Sequence, residues 1–120
     1  MQDMMVLLAH GSRDESWAQT FRTMTQTLCQ DKQNIRLAFM ELNSPSLEDI
    51  AKEAVKLGCQ SLTVLPLFLA KGKHLKKDIP QQLSALEGSL GISTNLLPPI
   101  GEQPELAFAI HQIVKRYHAE

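Results

Sequence analysis

Apolar residues along the chain alternate between short unbroken runs and stripes at helical spacing. The runs predict four strands, over residues 4–9, 35–40, 61–69 and 92–97. The third run is typical of a fully buried parallel strand, although Pro66 lacks a backbone donor and predicts an irregularity within it. Arg36 alternates with apolar neighbours in the second run, which indicates a strand nearer the edge of the sheet.

A helix is predicted after each run, because apolar residues recur there on one helical face or because helix-ending residues follow. The apolar stripe of the first helix comprises Trp17, Phe21, Met24 and Leu28. That of the second helix comprises Leu47, Ile50, Ala51, Ala54 and Val55. The last helix, over residues 102–118, is predicted to have an inner face made of Leu106, Ile110, Ile113, Val114 and Tyr117. The third helix is expected to start at Lys76 or Pro80 and to end at Glu87, before Gly88.

Start and stop signals flank the first two helices. Asp14 or Ser12 can cap the first, and Ser44 is predicted to cap the second with Pro45 as its first helical residue. Gly58 is expected to end that second helix. The resulting βαβαβαβα order predicts an α/β fold, a parallel sheet with helices on both faces. We assume the flavodoxin-like strand order 2-1-3-4, in a single domain over residues 1–120.

The net charge, the first residues and the cysteines argue against several classes of function. The net charge is −1, so no overall basic field favours nucleic acid or a membrane surface as a partner. The first residues are apolar only briefly, which predicts neither a signal peptide nor a membrane span. Cys29 and Cys59 have no CxxC spacing and are interpreted as reduced core residues, which indicates a cytoplasmic protein.

Two histidine-containing segments follow the two most apolar runs. The first is Ala9-His10-Gly11-Ser12-Arg13 and the second is Lys71-Gly72-Lys73-His74. In the assumed order, strands 1 and 3 flank the switch point, where ligands bind beyond the carboxyl ends of the strands. His10 and His74 are therefore expected on either side of one crevice, with Glu41 leaving the neighbouring strand at the same edge.

Two imidazoles and a carboxylate suit a borderline divalent ion, and fewer than four ligands leaves a coordination position open. An open coordination position predicts a metal ion that the protein transfers to another molecule or uses in a reaction. Alternative hypotheses are a non-enzymatic cobalt or nickel carrier, a flavodoxin-like binding module, and a phosphate-handling hydrolase in which His-Gly-Ser-Arg cradles a phosphoryl group. Either histidine could also serve only to satisfy a loop carbonyl, and Glu41 could be a solvated strand-end residue.

Four segments together resemble the class II chelatases, which insert divalent metals into sirohydrochlorin and related tetrapyrroles. Residues 7–13 (LLAHGSR) resemble the opening signature, and 65–74 with Asp78-Ile79-Pro80 resemble the second. Glu41 with Ser44-Pro45-Ser46 is similar to the middle of the pattern, and Pro99-Ile100-Gly101 to its C-terminal piece. The length resembles that of the short CbiX-type cobalt chelatases, each similar to one half of a two-domain relative.

The resemblance implies insertion of Co²⁺, with Ni²⁺ or Fe²⁺ as alternatives, into a sirohydrochlorin-type tetrapyrrole of cobalamin or siroheme biosynthesis. It implies that His10 and His74 bind the metal as a substrate, that Glu41 helps to deprotonate the macrocycle, and that no cofactor is permanently bound. A homodimer is the expected assembly. The substrate's carboxylates and flat ring would be met by Gly11, Ser12, Arg13, Ser44, Lys71, Gly72 and Lys73.

Overall fold

The computed structural model describes residues 3–31, 34–70 and 72–118, with the side chains of Lys73 and His74 outside the description. Its elements are β1 (Asp3–Ala9), α1 (Glu15–Asp31), β2 (Ile35–Phe39), α2 (Leu47–Lys56), β3 (Ser61–Pro66), α3 (Lys73–Leu90), β4 (Ser93–Leu96), the 3-10 turn η1 (Ile100–Glu102) and α4 (Pro104–Tyr117). None of the helices in the described ranges is long and apolar enough to cross a lipid bilayer.

The four strands form one parallel sheet in the order β2-β1-β3-β4. The predicted order 2-1-3-4 is therefore confirmed, with the Arg36 strand at an edge. Met4, Val6 and Leu8 of β1 are buried in one cluster with residues of α2 and α3. Ala9 packs on the opposite side, with Ala18 of α1. The sheet thus carries helices on both faces, as its alternating side-chain directions require.

Helix α1 buries a different face from the predicted one. Trp17, Met24 and Leu28 are all about half exposed or more, while Ala18 and Thr25 are buried. Ala18 is small enough to bring the helix close to the sheet, and the Thr25 hydroxyl donates to the Phe21 carbonyl at 2.9 Å. Because this polar group finds a partner within its own helix, it can be buried at little cost.

Helix α2 begins two residues later than predicted. Its N-cap is Ser46, whose hydroxyl accepts from the Asp49 N–H at 3.0 Å, while the Asp49 carboxylate accepts from the Ser46 N–H at 3.0 Å. The prediction of Ser44 as cap and Pro45 as first helical residue is wrong, because the reciprocal capping box at Ser46 satisfies the free N–H groups of Ser46 and Asp49. Ser44 and Pro45 are joined by a cis peptide bond in the preceding loop.

Helix α3 is longer at both ends than predicted. It starts at Lys73, where Gly72 is the N-cap, and continues through Pro80 and Gly88 to a left-handed cap at Gly91. Burial of Ile79 and Leu83 in the main core outweighs the cost of proline and glycine inside a helix.

Helix α4 contradicts the prediction of an inner apolar face. None of its residues, all of which the structure describes, is buried. Ile110, Val114 and Tyr117 are 54%, 53% and 78% exposed, and among the described elements the one extensive contact of α4 is with η1. The helix leaves the sheet instead of covering it, because the turn before it is held in place by the residues that follow β3, as described below.

Candidate active site

His10 and Glu41 lie at the same edge of the sheet. His10 follows the last residue of β1 directly, Glu41 comes two residues after the end of β2, and both residues are exposed. The Met40 N–H donates to the Ala9 carbonyl at 2.9 Å, so the two loops remain paired beyond the strands. The imidazole and the carboxylate are therefore presented to solvent from adjacent loops.

Gly11 allows these two loops to touch through their backbones. Its φ of +101° is one that side-chain-bearing residues rarely adopt, and a Cβ at this position would overlap the carbonyl oxygen of Glu41. Glycine is thus required for packing within the protein at this position. Any larger residue would push the His10 and Glu41 loops apart.

Asn43 connects the same two loops by hydrogen bonds, a role that sequence reasoning missed. Its side-chain oxygen accepts from the Ser12 N–H at 2.7 Å, and its own N–H donates to the Glu41 carbonyl at 2.8 Å. Its amide group also donates to the Glu15 carboxylate at 3.4 Å. The available signal was an asparagine in a turn-forming Asn-Ser-Pro segment, where side-chain-to-backbone bonds are common.

Leu42, between Glu41 and Asn43, has a left-handed backbone. Its φ is +70°, uncommon for a residue with a Cβ, and its side chain is 61% exposed. Such a conformation costs about 1–2 kcal/mol and persists only where the surroundings enforce it. Here it lets Glu41 project outward while Asn43 turns back to the Ser12 N–H.

Phe68 links His10 to the segment that follows β3. The Leu67 N–H donates to the Leu8 carbonyl at 2.8 Å, and the buried Phe68 ring meets the His10 ring edge to face, with centroids 6.0 Å apart and planes at 88°. His74 lies in the first turn of α3, four residues after the chain leaves Ala70. Lys71 and the side chains of Lys73 and His74 lie outside the described residues.

The turn at 98–101 supports the same segment from the other side. Gly101 donates its N–H to the Phe68 carbonyl at 3.0 Å, and a Cβ on Gly101 would overlap the backbone of Leu69. Pro99 is fully buried. The Pro99-Ile100-Gly101 segment therefore braces the chain just before the predicted Lys71–His74 site.

The remaining predicted substrate-binding residues are placed around this edge. Arg13 and Ser44 are exposed, and the Ser44 carbonyl accepts from Arg22 at 3.5 Å. Gly72 is the N-cap of α3, where a Cβ would meet nothing within 4 Å. Ser12 is a predicted substrate-binding residue, and its N–H donates to the Asn43 side-chain oxygen.

The N-terminus of α1 carries a negative charge of its own. The Asp14 carboxylate accepts from the Ser16 hydroxyl at 2.6 Å and from the Ser16 N–H at 3.0 Å, and these bonds lower the pKa of Asp14. A carboxylate at this end of the helix occupies N–H groups that a phosphoryl group would need. This arrangement disfavours the phosphate-handling alternative.

No group of three or more His, Cys, Asp and Glu side chains comes together in the described part of the chain. What the geometry offers is one exposed imidazole, one exposed carboxylate on a loop interlocked with it, and an aromatic contact toward the His74 segment. Such groups can hold a metal loosely and accept a proton beside it.

Comparison with known proteins gives consistent matches. The family model described as CbiX matches residues 4–117. The chain is 31% identical over 97 residues to the sirohydrochlorin cobaltochelatase of Sulfolobus acidocaldarius, covering 81% of this chain and 77% of the relative.

Solved structures share the fold. A putative cobalamin (vitamin B12) biosynthesis CbiX protein from Marinobacter aquaeolei superimposes with a TM-score of 0.90 at 41% identity, covering 96% of both chains. The sirohydrochlorin chelatase SirB of Bacillus subtilis, in complex with cobalt, gives a TM-score of 0.81 at 25% identity. That match covers 97% of this chain but 51% of SirB.

Proposed function

The chain belongs to the CbiX family, and we propose that it inserts a divalent metal, Co²⁺ above all, into a sirohydrochlorin-type tetrapyrrole. The observation that carries this proposal is the pairing of exposed His10 and exposed Glu41 on loops locked together by Gly11 and Asn43. Similarity to cobaltochelatases supports the choice of metal and macrocycle. Ni²⁺ and Fe²⁺ suit the same ligands and are the alternative substrates.

Metal insertion requires a metal ion that the protein binds while leaving some of its coordination positions open. Neutral imidazoles bind a divalent ion without cancelling its charge, so pyrrole nitrogens can replace its remaining water. In the proposal, His10 and His74 supply these two imidazoles. The edge contact with Phe68 restrains the His10 ring on the side facing the segment after β3.

Insertion also releases two pyrrole N–H protons, which need an acceptor. Glu41 is assigned that role because its carboxylate is exposed beside the His10 loop and its backbone is held by Gly11 and Asn43. A carboxylate in this position can pass a proton on to water directly.

The remaining parts of the proposal concern the ring's periphery and the assembly. Arg13, Lys71 and Lys73 are assigned to the substrate's carboxylates, with Gly72 and Ser44 lining the approach of the ring. One copy offers one wall of a cleft, and the cobalt-bound SirB chain is about twice as long. We therefore propose a homodimer, working in the cytoplasm, where the free thiols of Cys29 and Cys59 stay reduced.

The test measures visible absorbance of sirohydrochlorin incubated with Co²⁺ and protein. His10→Ala is expected to abolish most accelerated insertion, whereas His111→Ala, an exposed histidine on α4, should keep the wild-type rate. Glu41→Gln is expected to lower turnover by about 10²–10⁴ while Co²⁺ binding without tetrapyrrole persists. A wild-type rate in His10→Ala would overturn the assignment, and Co²⁺ binding without any insertion would identify a carrier instead.

A further inference from the structure

Arg22 of α1 reaches across the end of β2 to the loop that carries Glu41. One guanidinium nitrogen donates to the Ser44 carbonyl at 3.5 Å, and the guanidinium carbon lies over the buried Phe39 ring, 5.4 Å from its centre. The Arg22 side chain is 33% exposed, so most of its surface is in contact with the protein. Phe39 is the last residue of β2 and Ser44 lies near the end of the loop, so one side chain contacts the backbone segment on both sides of Glu41.

Glu15 connects the same guanidinium to Asn43. Arg22 lies seven residues after Glu15, two turns along one face of α1, and its other terminal nitrogen is paired with the Glu15 carboxylate. The second oxygen of that carboxylate accepts from the Asn43 amide at 3.4 Å, and the Asn43 oxygen accepts from the Ser12 N–H. A continuous set of contacts therefore runs from α1 through Asn43 to the His10 loop.

The Glu15 carboxylate fixes which way the Asn43 amide points. An ionised carboxylate can only accept hydrogen bonds, so it pairs with the NH₂ group of Asn43 and leaves the side-chain oxygen for the Ser12 N–H. The opposite orientation would place an NH₂ group against an N–H group and would lose both bonds. Arg22 in turn keeps the carboxylate near Asn43, because it is paired with the same carboxylate.

These contacts require an arginine. The planar guanidinium presents several N–H groups and a flat face, so it donates to Glu15 and Ser44 while it stacks on Phe39. A lysine has one nitrogen on a flexible stem and cannot make all three contacts. The Glu15 side chain is 70% exposed, and exposed ion pairs contribute little to stability. The contacts of Arg22 therefore restrain the position of a loop more than they stabilise the fold.

We propose that Arg22 is a positioning residue for Glu41 and acts through the 40–46 loop. This inference rests on the proposed function, in which the Glu41 carboxylate accepts a pyrrole proton. Leu42, the next residue, has a left-handed backbone, and such a conformation persists only where its surroundings enforce it. Without Arg22 the loop can relax and carry the carboxylate away from His10. A displacement of about 1 Å at a reacting group can lower a rate about 10²-fold.

The first experiment measures Co²⁺ insertion into sirohydrochlorin by Arg22→Met, which keeps a long side chain over Phe39 but removes every donor. We expect kcat to fall by about 10–100-fold, with Co²⁺ affinity in the absence of tetrapyrrole unchanged. Arg22→Lys, which keeps the charge, should lose kcat to a similar degree. Arg36→Met is the matched control, because Arg36 also pairs with a glutamate, Glu53, but at the other end of β2. It should keep the wild-type kcat, and a wild-type kcat in Arg22→Met would overturn the proposal.

The second experiment asks whether Arg22 acts through Glu41. Adding Arg22→Met to Glu41→Gln should lower kcat no further, because the carboxylate that Arg22 positions is already absent. If the two losses multiply, Arg22 acts by another route and the proposal is wrong. A wild-type rate in Glu41→Gln alone would overturn the proton-acceptor assignment and this proposal with it. A slow Glu41→Gln beside a wild-type rate in Arg22→Met would overturn this proposal alone.

The third experiment observes the loop without metal or tetrapyrrole. The N–H groups of Ser12 and Asn43 are bonded within the two joined loops, so their amide hydrogen exchange, measured by NMR, reports how often the loops separate. Exchange at both amides should be about 5-fold faster in Arg22→Met and in Glu15→Ala, and unchanged in Arg36→Met. Wild-type exchange at both amides in Arg22→Met would show that the arginine does not hold the loop, and the proposal would fail.

Discussion

Helices α2 and α4 have similar apolar stripes, but the stripe of α2 is buried and that of α4 is largely exposed. In α2 the predicted residues Leu47, Ile50, Ala51 and Ala54 are all buried against the sheet, and only Val55, at 42%, is exposed. In α4 no residue is buried, and four of the five predicted core residues are 49% exposed or more. An amphipathic pattern shows that a helix has a face to cover. It does not show which molecule covers it.

The segments that precede the two helices account for the difference. The loop before α2 turns back on β2, where the Phe39 N–H donates to the Pro45 carbonyl at 2.9 Å, and the capping box at Ser46 then starts the helix along the sheet. The turn before α4 is anchored to Phe68 and Leu69, beyond the end of β3, and it sends the helix outward. α4 has no side-chain cap hydrogen bond.

The largest expected difference in stability is between two variants that each place a glutamate in an apolar stripe, one in α2 and one in α4. Ile50→Glu buries a carboxylate in the main core, where Ile50 is 4% exposed, and should cost about 4–5 kcal/mol, enough to unfold much of the protein. Ile113→Glu should change the free energy of unfolding of the dissociated monomer by no more than about 0.5 kcal/mol. Urea unfolding of both variants at low protein concentration measures this, and equal losses would mean that α4 is covered by its own chain.

A smaller effect should come from the turn that directs α4. Gly101→Ala forces a methyl group into the Leu69 backbone and should destabilise the protein by about 1–3 kcal/mol. Gly88→Ala is the matched control, because that glycine lies inside α3 with nothing within 4 Å of its Cβ position and should gain up to about 1 kcal/mol. Thermal melts compare the two. If Gly101→Ala has the thermal stability of the wild type, the turn can adjust to the added methyl group. The turn would then not explain why α4 leaves the sheet while α2 packs on it.

The smallest effect concerns pH at the start of α2, which has no counterpart in α4. Hydrogen bonds from the Ser46 backbone and hydroxyl lower the pKa of Asp49 below its ordinary 3.8. A carboxyl with a lowered folded pKa stabilises the fold above about pH 4, and the contribution is lost as the pH falls through the folded pKa.

Asp49→Asn should therefore show a smaller drop in urea midpoint between pH 7 and pH 3 than the wild type does. Glu48→Gln removes a neighbouring charge in the same first turn, one paired with Lys52 at 3.2 Å, and serves as the control. Identical pH profiles for wild type and Asp49→Asn would show that the capping box does not titrate with folding. The lowered pKa values of Asp14 and Glu87 account for part of the dependence that remains.

The sequence predicted which residues form the candidate site, but it did not predict the contacts that hold their loops together. His10, Glu41 and Gly11 stand where strand ends and a glycine predict them, because strand periodicity and the sheet edge can be derived from residue types. Asn43 and Leu42 were missed. Their roles depend on a backbone fold between residues 40 and 46 that brings the Asn43 oxygen to the Ser12 N–H, 31 positions away in sequence.

The apolar runs by themselves determined four strands and, with the helices between them, a parallel sheet. Local pattern suffices there because a buried strand must be apolar on both faces whatever its neighbours are. The order 2-1-3-4, and with it the edge at which His10 and Glu41 meet, was assumed and is confirmed by the structure. Tertiary structure alone decided that α1 turns Ala18 inward and leaves Trp17 outside, and that α4 leaves the sheet. Both depend on how closely two backbones approach, at Ala9 and Ala18 in one case and at Leu69 and Gly101 in the other, and residue periodicity carries no information about that distance.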